Sequence, residues 1–454
     1  MATHVNERER KYQLPITGGV PLDDVPGMTL DPLTDEQVLD AVYHDTADLR
    51  LAHKGITLRR RTGGDDAGWH LKLPLGEDTR EEIQVPLGRG GKSAPEELTD
   101  MLTGITRGQP LAPVAHIRTK RRKWRLLDET GRVAAEVVAD SVSGQTLGES
   151  SSVMSWEEIE VELAGGGPDV FDSVEKRLGK PSDAPPKALR ILGVRTERRP
   201  PEPGVQGYMR EQVDKMIEQD VLIRRRAPDS IHQMRVAGRR LRSILQAFKG
   251  SRELRNELKW LSGALGDMRD LEVLHDHLVA EVRALPDELV IGEVRRRLTE
   301  SFVPRRAAAR AEVLEALNSE RYFALLDCLE TSHRLPLKRE KVQALRKTRR
   351  RVDRAFDNIG RLGTDRGLHE VRKAAKRTRY AAEATGKKKL ARRMKKLQKS
   401  LGVHQDAVVA RAEVRNLGVQ AHLAGENAFT YGLLYGREVQ RAEKVRQSLR
   451  LGER

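Results

Sequence analysis

Carboxylates and cations alternate along several short stretches of this sequence. Glu7, Glu9 and Lys11 occur at spacing two, as do Arg59 and Arg61, and again Glu160 and Glu162. Residues two apart share one face of a β-strand. Each stretch therefore puts charge on one face and, at Ile159, Val161 and Leu163, apolar side chains on the other. A single strand of this kind is normally the solvated face of a surface sheet. Several strands combining both signs point instead to a closed barrel with its polar face inward and its apolar face covered by helices. Such an interior suits a metal-bound polyphosphate. Paired carboxylates offer hard oxygen ligands to Mg2+ or Mn2+, while Arg and Lys neutralise phosphate oxygens and the charge developing on a leaving group. Carboxylates alone would repel the anion, and cations alone would bind it but leave water poorly activated.

The second half carries its chemistry on helices. His232, Arg235, Arg239 and Arg242 lie at offsets 0, +3, +7 and +10, which at roughly 100° per residue fall within about 80° of one another. His369, Arg372, Lys376 and Arg379 repeat the stripe 137 residues later. A second marker, Leu-Gly-x-x-x-Asp at Leu265 to Asp270 and Leu401 to Asp406, recurs at an offset of 136. Two markers agreeing to one residue indicate duplication, each copy long enough for a four-helix bundle. Arg252, Arg255 and Lys259 extend the first copy, and Arg392, Arg393, Lys395, Lys396 and Lys399 the second. Facing stripes would line a groove that is costly when empty and favourable when a polyanion fills it. One difference between the copies is Gly238, where the second has Ala375.

These residues need two kinds of scaffold. Runs at 55–61, 69–74, 82–87, 123–128, 133–140 and 156–163 read as strands broken by Gly/Asp-containing turns, with helices at 95–104 and 170–178. Residues 194–207 are charged and rich in Pro and Gly, as a stiff linker should be, and everything beyond reads as helix. The expected layout is α+β: a barrel domain over 1–193, a linker over 194–207, and an all-α domain over 208–454 with repeats at about 208–340 and 341–454. Charge follows the same division. Up to Gly204 there are 28 basic and 34 acidic residues, a net of −6; beyond it there are 55 and 33, a net of +22, within a 454-residue chain of net +16. No run approaches the roughly 20 apolar residues of a membrane span, and the opening stretch lacks a signal-peptide core, so a cytoplasmic protein without membrane contact is expected. Cys328, the one cysteine, lies in an apolar helical stretch and is expected in the core. Aromatic residues make up 4 % of the chain, few for base stacking, which disfavours nucleic acid as partner.

The first 190 or so residues resemble the CYTH superfamily, the triphosphate tunnel metalloenzymes. Its Glu-x-Glu-x-Lys signature is matched by Glu7, Glu9 and Lys11. In family order follow a second block at 43–51 with Arg59 and Arg61, then Lys72, Arg80 and Glu82, Arg121, Glu136 and Asp140, Glu160 and Glu162, and Lys187. The resemblance implies an eight-stranded antiparallel tunnel barrel that binds triphosphate with Mg2+ or Mn2+. Glu7, Glu9, Asp140, Glu160 and Glu162 are the implied metal or water ligands, and Lys11, Arg59, Arg61, Lys72, Arg121 and Lys187 the implied phosphate ligands; catalysis would rest on Glu7, Glu9 and Lys11. Five of the six residues at 118–123 are basic, so Arg118 and Arg122 are alternatives to Arg121.

Residues 205–454 resemble the CHAD domain, a duplicated helical bundle, which implies polyphosphate binding. The residues concerned are His232, Arg235, Arg239, Arg242 and Lys259 in one copy, and His369, Arg372, Lys376, Arg379, Lys395, Lys396 and Lys399 in the other. Together the resemblances imply a metal-dependent inorganic triphosphatase, acting on tripolyphosphate, joined to a module for long-chain polyphosphate. The alternatives are a non-catalytic protein that docks on polyphosphate granules, and a thiamine triphosphatase or adenylate-cyclase-type enzyme.

Overall fold

A computed structural model describes residues 3–13, 20–76, 78–88, 92–148, 151–195, 202–332, 337, 340–359 and 364–451. The chain divides into two compact units, Met1–Arg198 and Arg199–Arg454. In the first, eight strands close into an antiparallel barrel: β1 (Thr3–Tyr12), β2 (Met28–Asp45), β3 (Thr57–Thr62), β4 (Gly68–Pro74), β5 (Thr79–Pro86), β6 (Ala112–Asp128), β7 (Val133–Thr146) and β8 (Val153–Leu163). Their order around the barrel is β1-β5-β4-β3-β2-β6-β7-β8. Four helices accompany them: α1 (Arg50–His53), α2 (Glu96–Thr106), α3 (Asp169–Leu178) and α4 (Lys187–Ile191).

The barrel is apolar outside and charged inside. Ile159 and Val161 of β8 turn outward with Tyr12, Leu126 and Val137, and α3 covers them with Val170, Phe171 and Val174. Removing these side chains from water at about 25 cal/mol per Å2 holds the helix on the wall. Near one end, Leu189 and Ile191 of α4 pack with Ala115, Val142 and Trp156, which fixes Lys187 at the start of that helix toward the interior. The longest strand, β2, does not read as a strand from sequence. It contains Pro32 and several acids, and its pairing with β6 shifts register between Leu33 and Gln37 and again at Tyr43/His44. Bulges of this kind break the alternation on which recognition depends.

The second unit has ten α-helices among the described residues: α5 (Gly204–Arg224), α6 (Ser230–Ala247), α7 (Arg252–Ala264), α8 (Gly266–Arg283), α9 (Val294–Leu317), α10 (Glu320–Ser332), α11 (Lys341–Asp357), α12 (Thr364–Ala384), α13 (Lys388–Leu423) and α14 (Phe429–Leu451). None is long and apolar enough to cross a membrane. Of the expected linker, 196–201 lie outside the described residues. Its ends are structured: Val194 is buried in the first unit and Gly204 begins α5. The two stripe helices are α6 and α12, and they pack against each other.

The second marker differs between the copies. In the first it straddles the break between α7 and α8 at Leu265, whereas in the second it lies inside the 36-residue helix α13. Gly263 stands where the second copy has Lys399, and glycine weakens a helix interior by about 1 kcal/mol. Cys328 is exposed rather than in the core. In α10 the buried positions are Tyr322, Leu325, Leu326 and Leu329, and Cys328 lies about 110° from the centre of that stripe.

Gly238 needs no glycine. It is buried in α6 with helical backbone, and a Cβ there would meet Leu258 Cδ2 and Ser262 Oγ at 4.0 Å, ordinary contact distance. Gly238→Ala is expected to stabilise the protein by about 0.5–1 kcal/mol, seen as a higher denaturation midpoint; a lower midpoint would mean the site has no room for the methyl.

Candidate functional site

The barrel encloses a cavity of about 180 Å3. Into it point Glu7, Glu9 and Lys11 from β1, Arg59 and Arg61 from β3, Lys72 from β4, Arg80 and Glu82 from β5, Arg121 and Lys123 from β6, Glu136 from β7, Glu160 and Glu162 from β8, and Lys187 from α4. Of the barrel residues implied by the resemblance, Asp140 alone does not line it. Arg118 and Arg122 are exposed, whereas Thr119, Arg121 and Lys123 face inward, so the alternation selects Arg121.

Register places the charges. Lys11 stands opposite Glu160 and Lys72 opposite Glu82, so opposite charges meet across neighbouring strands. Glu9 stands opposite Glu162, which stands opposite Glu136, so three carboxylates lie side by side across β1, β8 and β7. Like charges directly opposite destabilise a sheet. Glu160 is compensated by Lys11 at 2.5 Å, Lys187 at 2.8 Å and Arg121 at 3.2 Å. Burial works to raise its pKa, but these cations hold it well below the ordinary value. Glu82 is held by Lys72 at 2.8 Å and by the buried His70, whose other ring nitrogen lies 2.9 Å from the Asp66 carbonyl oxygen.

Asp140 sits behind Arg121, fully buried. It accepts from Arg121 Nε at 2.8 Å and Nη2 at 2.6 Å, with Lys187 at 2.9 Å. Asp140, Glu158 and Glu160 bring their oxygens within 4.8 Å of one another, as a metal site would. The Lys187 ammonium already occupies that position, 2.7–2.9 Å from all three.

Glu7 and Glu162 are compensated least, whereas Glu9, which burial works to raise, is drawn below its ordinary value by Lys11, Lys72 and Arg80 against Glu160. Burial, reinforced by Glu82, pushes Glu7 up to about 8 against the pull of Lys72. Burial, opposed by Lys72 and reinforced by Glu9, Glu82 and Glu136, pushes Glu162 up to about 7. Arg80 lies 3.6 Å from Glu9. Two carboxylates that the protein's own cations leave short of charge, with Glu9 opposite Glu162, are a donor set that fits a hard divalent ion. The cations have spare capacity too, since the buried Nε atoms of Arg59 and Arg61 have no acceptor among the described residues.

In the helical unit the stripes meet at a groove of about 590 Å3. Arg239 and Arg242 of α6, Arg252, Arg255 and Lys259 of α7, and His369, Lys373, Lys376 and Arg377 of α12 line it. Burial and the neighbouring Arg372, Arg239 and Arg235 push Lys376 down to about 7. The buried Nε atoms of Arg235, Arg239 and Arg372 have no acceptor among the described residues. The glycine of the second marker lies against the stripe: a Cβ on Gly266 or Gly402 would come within 3.9 or 3.6 Å of Arg235 or Arg372 Nη2. Arg235 also donates to the Gly266 carbonyl and to Asp270, both at 2.9 Å.

The remaining stripe residues lie apart from the groove lining. His232 is half-buried, with burial and then Arg269 disfavouring its charge. Arg379 is tied to Glu383 at 2.7 Å and Gln398 at 3.1 Å, and Lys395, Lys396 and Lys399 are exposed on α13. Sequence reasoning missed Glu158, Lys123, Lys373 and Arg377 as members of these two constellations. Glu158 continues the alternation of Glu160 and Glu162 and was legible; Arg377 lies off the stripe and faces the groove only because the groove is wide.

A tunnel barrel with both charge signs inside, followed by a duplicated helical bundle with a cationic groove, defines a two-domain phosphate-handling architecture. The CYTH domain pattern matches residues 6–185 and the CHAD domain pattern residues 207–415, in that order, and the chain belongs to the CYTH–CHAD proteins. Two Mycobacterium tuberculosis strains carry similar uncharacterized proteins, Rv2226 and MT2285, each 38 % identical over 91 % of this chain and 88 % of its own length. Similar solved structures include PptA from Streptomyces chartreusis, 20 % identical with a TM-score of 0.47 over 55 % of this chain and 99 % of that one. The CHAD domain from the plant Ricinus communis is 24 % identical with a TM-score of 0.43, over 56 % and 93 %.

The strained carboxylates make a pH prediction. Folded Glu162 keeps its proton to about 7, whereas the ordinary value is 4.5. Across that window the native state binds more protons than the unfolded one, so this group costs the metal-free protein stability as pH rises. Glu162→Gln removes the titration. With a chelator present, the variant should gain stability over wild type between about pH 5 and about pH 8; parallel denaturation curves across that range would refute the assignment.

Proposed function

We propose that the barrel is a metal-dependent inorganic triphosphatase that cleaves tripolyphosphate, and that the helical groove holds inorganic polyphosphate. The observation that carries this reading is the sharing of one small cavity by a surplus of carboxylates on β1 and β8 and a ring of cations on β3, β4, β6 and α4. About 180 Å3 is below the roughly 300–1,000 Å3 of pockets that enclose drug-sized ligands. A phosphate chain suits it better than a nucleotide, and Tyr43 is the only aromatic ring lining it among the described residues.

Glu7, Glu9 and Glu162 would hold Mg2+ or Mn2+, which supplies charge neutralisation between carboxylate and phosphate and lowers the pKa of bound water. Lys11, Arg59, Arg61, Lys72, Arg121 and Lys187 hold the phosphate oxygens. Asp140 fixes the planar fork of Arg121 by a two-point bond, which is how guanidinium geometry is set for oxyanions. Water attacks the terminal phosphorus, the anhydride P–O bond breaks, and orthophosphate and pyrophosphate leave. A carboxylate oxygen of the Glu7/Glu9 pair takes the water's proton. Cations aimed at the bridging and leaving oxygens stabilise the charge that develops there.

Phosphate release from tripolyphosphate with Mg2+ or Mn2+ tests the reading. Glu7→Ala/Glu9→Ala is expected to lower the rate at least about 100-fold, the scale on which one electrostatic contributor acts. Equal rates for variant and wild type, or ligand binding without turnover across several metals, would contradict it.

A further inference from the structure

The helical unit has a second basic groove that shares no lining residue with the first. It opens between α11 and the turn from α12 into α13, with a volume of about 930 Å3. Arg346, Arg349 and Arg350 of α11 face Lys387, Lys388 and Lys389 across it, with Asp353 the one acid and Leu345 and Leu390 among its walls.

Several exposed arginines elsewhere on this unit have partners: Arg296 meets Glu300 at 2.8 Å, and Arg305 meets Glu413 and Arg321 meets Glu257, each at 2.6 Å. The six cations of the second groove form no ion pair within 4.0 Å among the described residues. Three of them lie at the N-terminus of α13, a 36-residue helix with no acid in its first turn. The positive end of the helix dipole therefore adds to their repulsion. Aliphatic walls beside charge of one sign focus the field toward an incoming anion. Among the described residues no aromatic ring lines the groove, so these offer no platform for unstacked bases. The complement of such a surface is an inorganic polyanion.

We propose that this groove binds inorganic polyphosphate independently of the first, so that the helical unit holds two chain segments at once and bridges separate chains. The inference rests on reading that unit as polyphosphate-binding. Two sites on one body raise the effective concentration of the second segment once the first is held, and a long chain with many such bodies on it becomes cross-linked.

The test uses the full-length protein, a short polyphosphate carrying a fluorophore at one end, and long-chain polyphosphate. Titration with the short chain, with a chelator present so that the metal-dependent barrel does not take it up, should show two sites in wild type, one in Arg349→Glu/Lys388→Glu and one in Arg239→Gln/Lys376→Gln. Light scattering on mixing with the long chain should rise for wild type and stay flat for both variants. Arg349→Gln/Lys388→Gln, with circular dichroism as a check on folding, should repeat the loss without charge reversal. A single wild-type site that Arg349→Glu/Lys388→Glu leaves intact would overturn the second groove while the first stands. Absence of any wild-type binding would overturn both. If Arg349→Glu/Lys388→Glu lost RNA binding but kept two polyphosphate sites, the groove would belong to nucleic acid and the proposal would fall.

Discussion

Everything in the barrel follows from ionised groups of both signs sharing an interior with little water. Among the described residues eight cations and seven carboxylates line about 180 Å3. Charge removed from water is tolerated only where it is paired and hydrogen-bonded. Strand register supplies most of the pairing: Lys11 with Glu160, Lys72 with Glu82, Arg121 with Asp140. The same register sets Glu9 against Glu162 and Glu162 against Glu136, where like charges lie side by side and Arg80, 3.6 Å from Glu9, offsets part of the repulsion. The apolar outer wall and α3 contribute the burial that keeps the strands closed despite that repulsion. The unmet charge at Glu7 and Glu162 thus works against the stability of the metal-free barrel and favours a metal ion.

The helical unit meets the same constraint with one sign in large excess: among the described residues Glu370 is the one acid that lines the groove. Its stripes bring Arg239, Arg372 and Lys376 together, and Lys376 is depressed because burial and these neighbours oppose its charge by more than Asp406 supports it. The barrel needs a cation and an anion together, whereas the groove needs only the anion. On the proposed function, substrate processing and chain binding therefore reside in one chain without competing for the same chemistry.

How much of this was legible follows from periodicity. The spacing of Glu7, Glu9 and Lys11 showed which residues share a face, and the inversion of Ile159 and Val161 to the outside showed which face is inner, because a period of two does not depend on the partner strand. Which charge meets which did depend on it. That Lys187 would fill the seat among Asp140, Glu158 and Glu160, and that Asp140 would serve Arg121, required the closed register and the short helix α4. Strand β2 was hidden by its bulges. On the helices, the offsets of His232 and His369 survived because 3.6-residue periodicity is local, yet Lys395, Lys396 and Lys399 are exposed outside the groove lining and Arg379 is held by Glu383. Charge density alone carries no direction.

The most direct test of the account is a calorimetric titration of tripolyphosphate into the full-length protein, with and without Mn2+, repeated with the order of addition reversed. If the metal is the bridge between carboxylates and anion, each ligand must tighten the other by the same factor, and Glu9→Gln must reduce that factor. Tripolyphosphate affinity that is the same with and without Mn2+ would contradict the account.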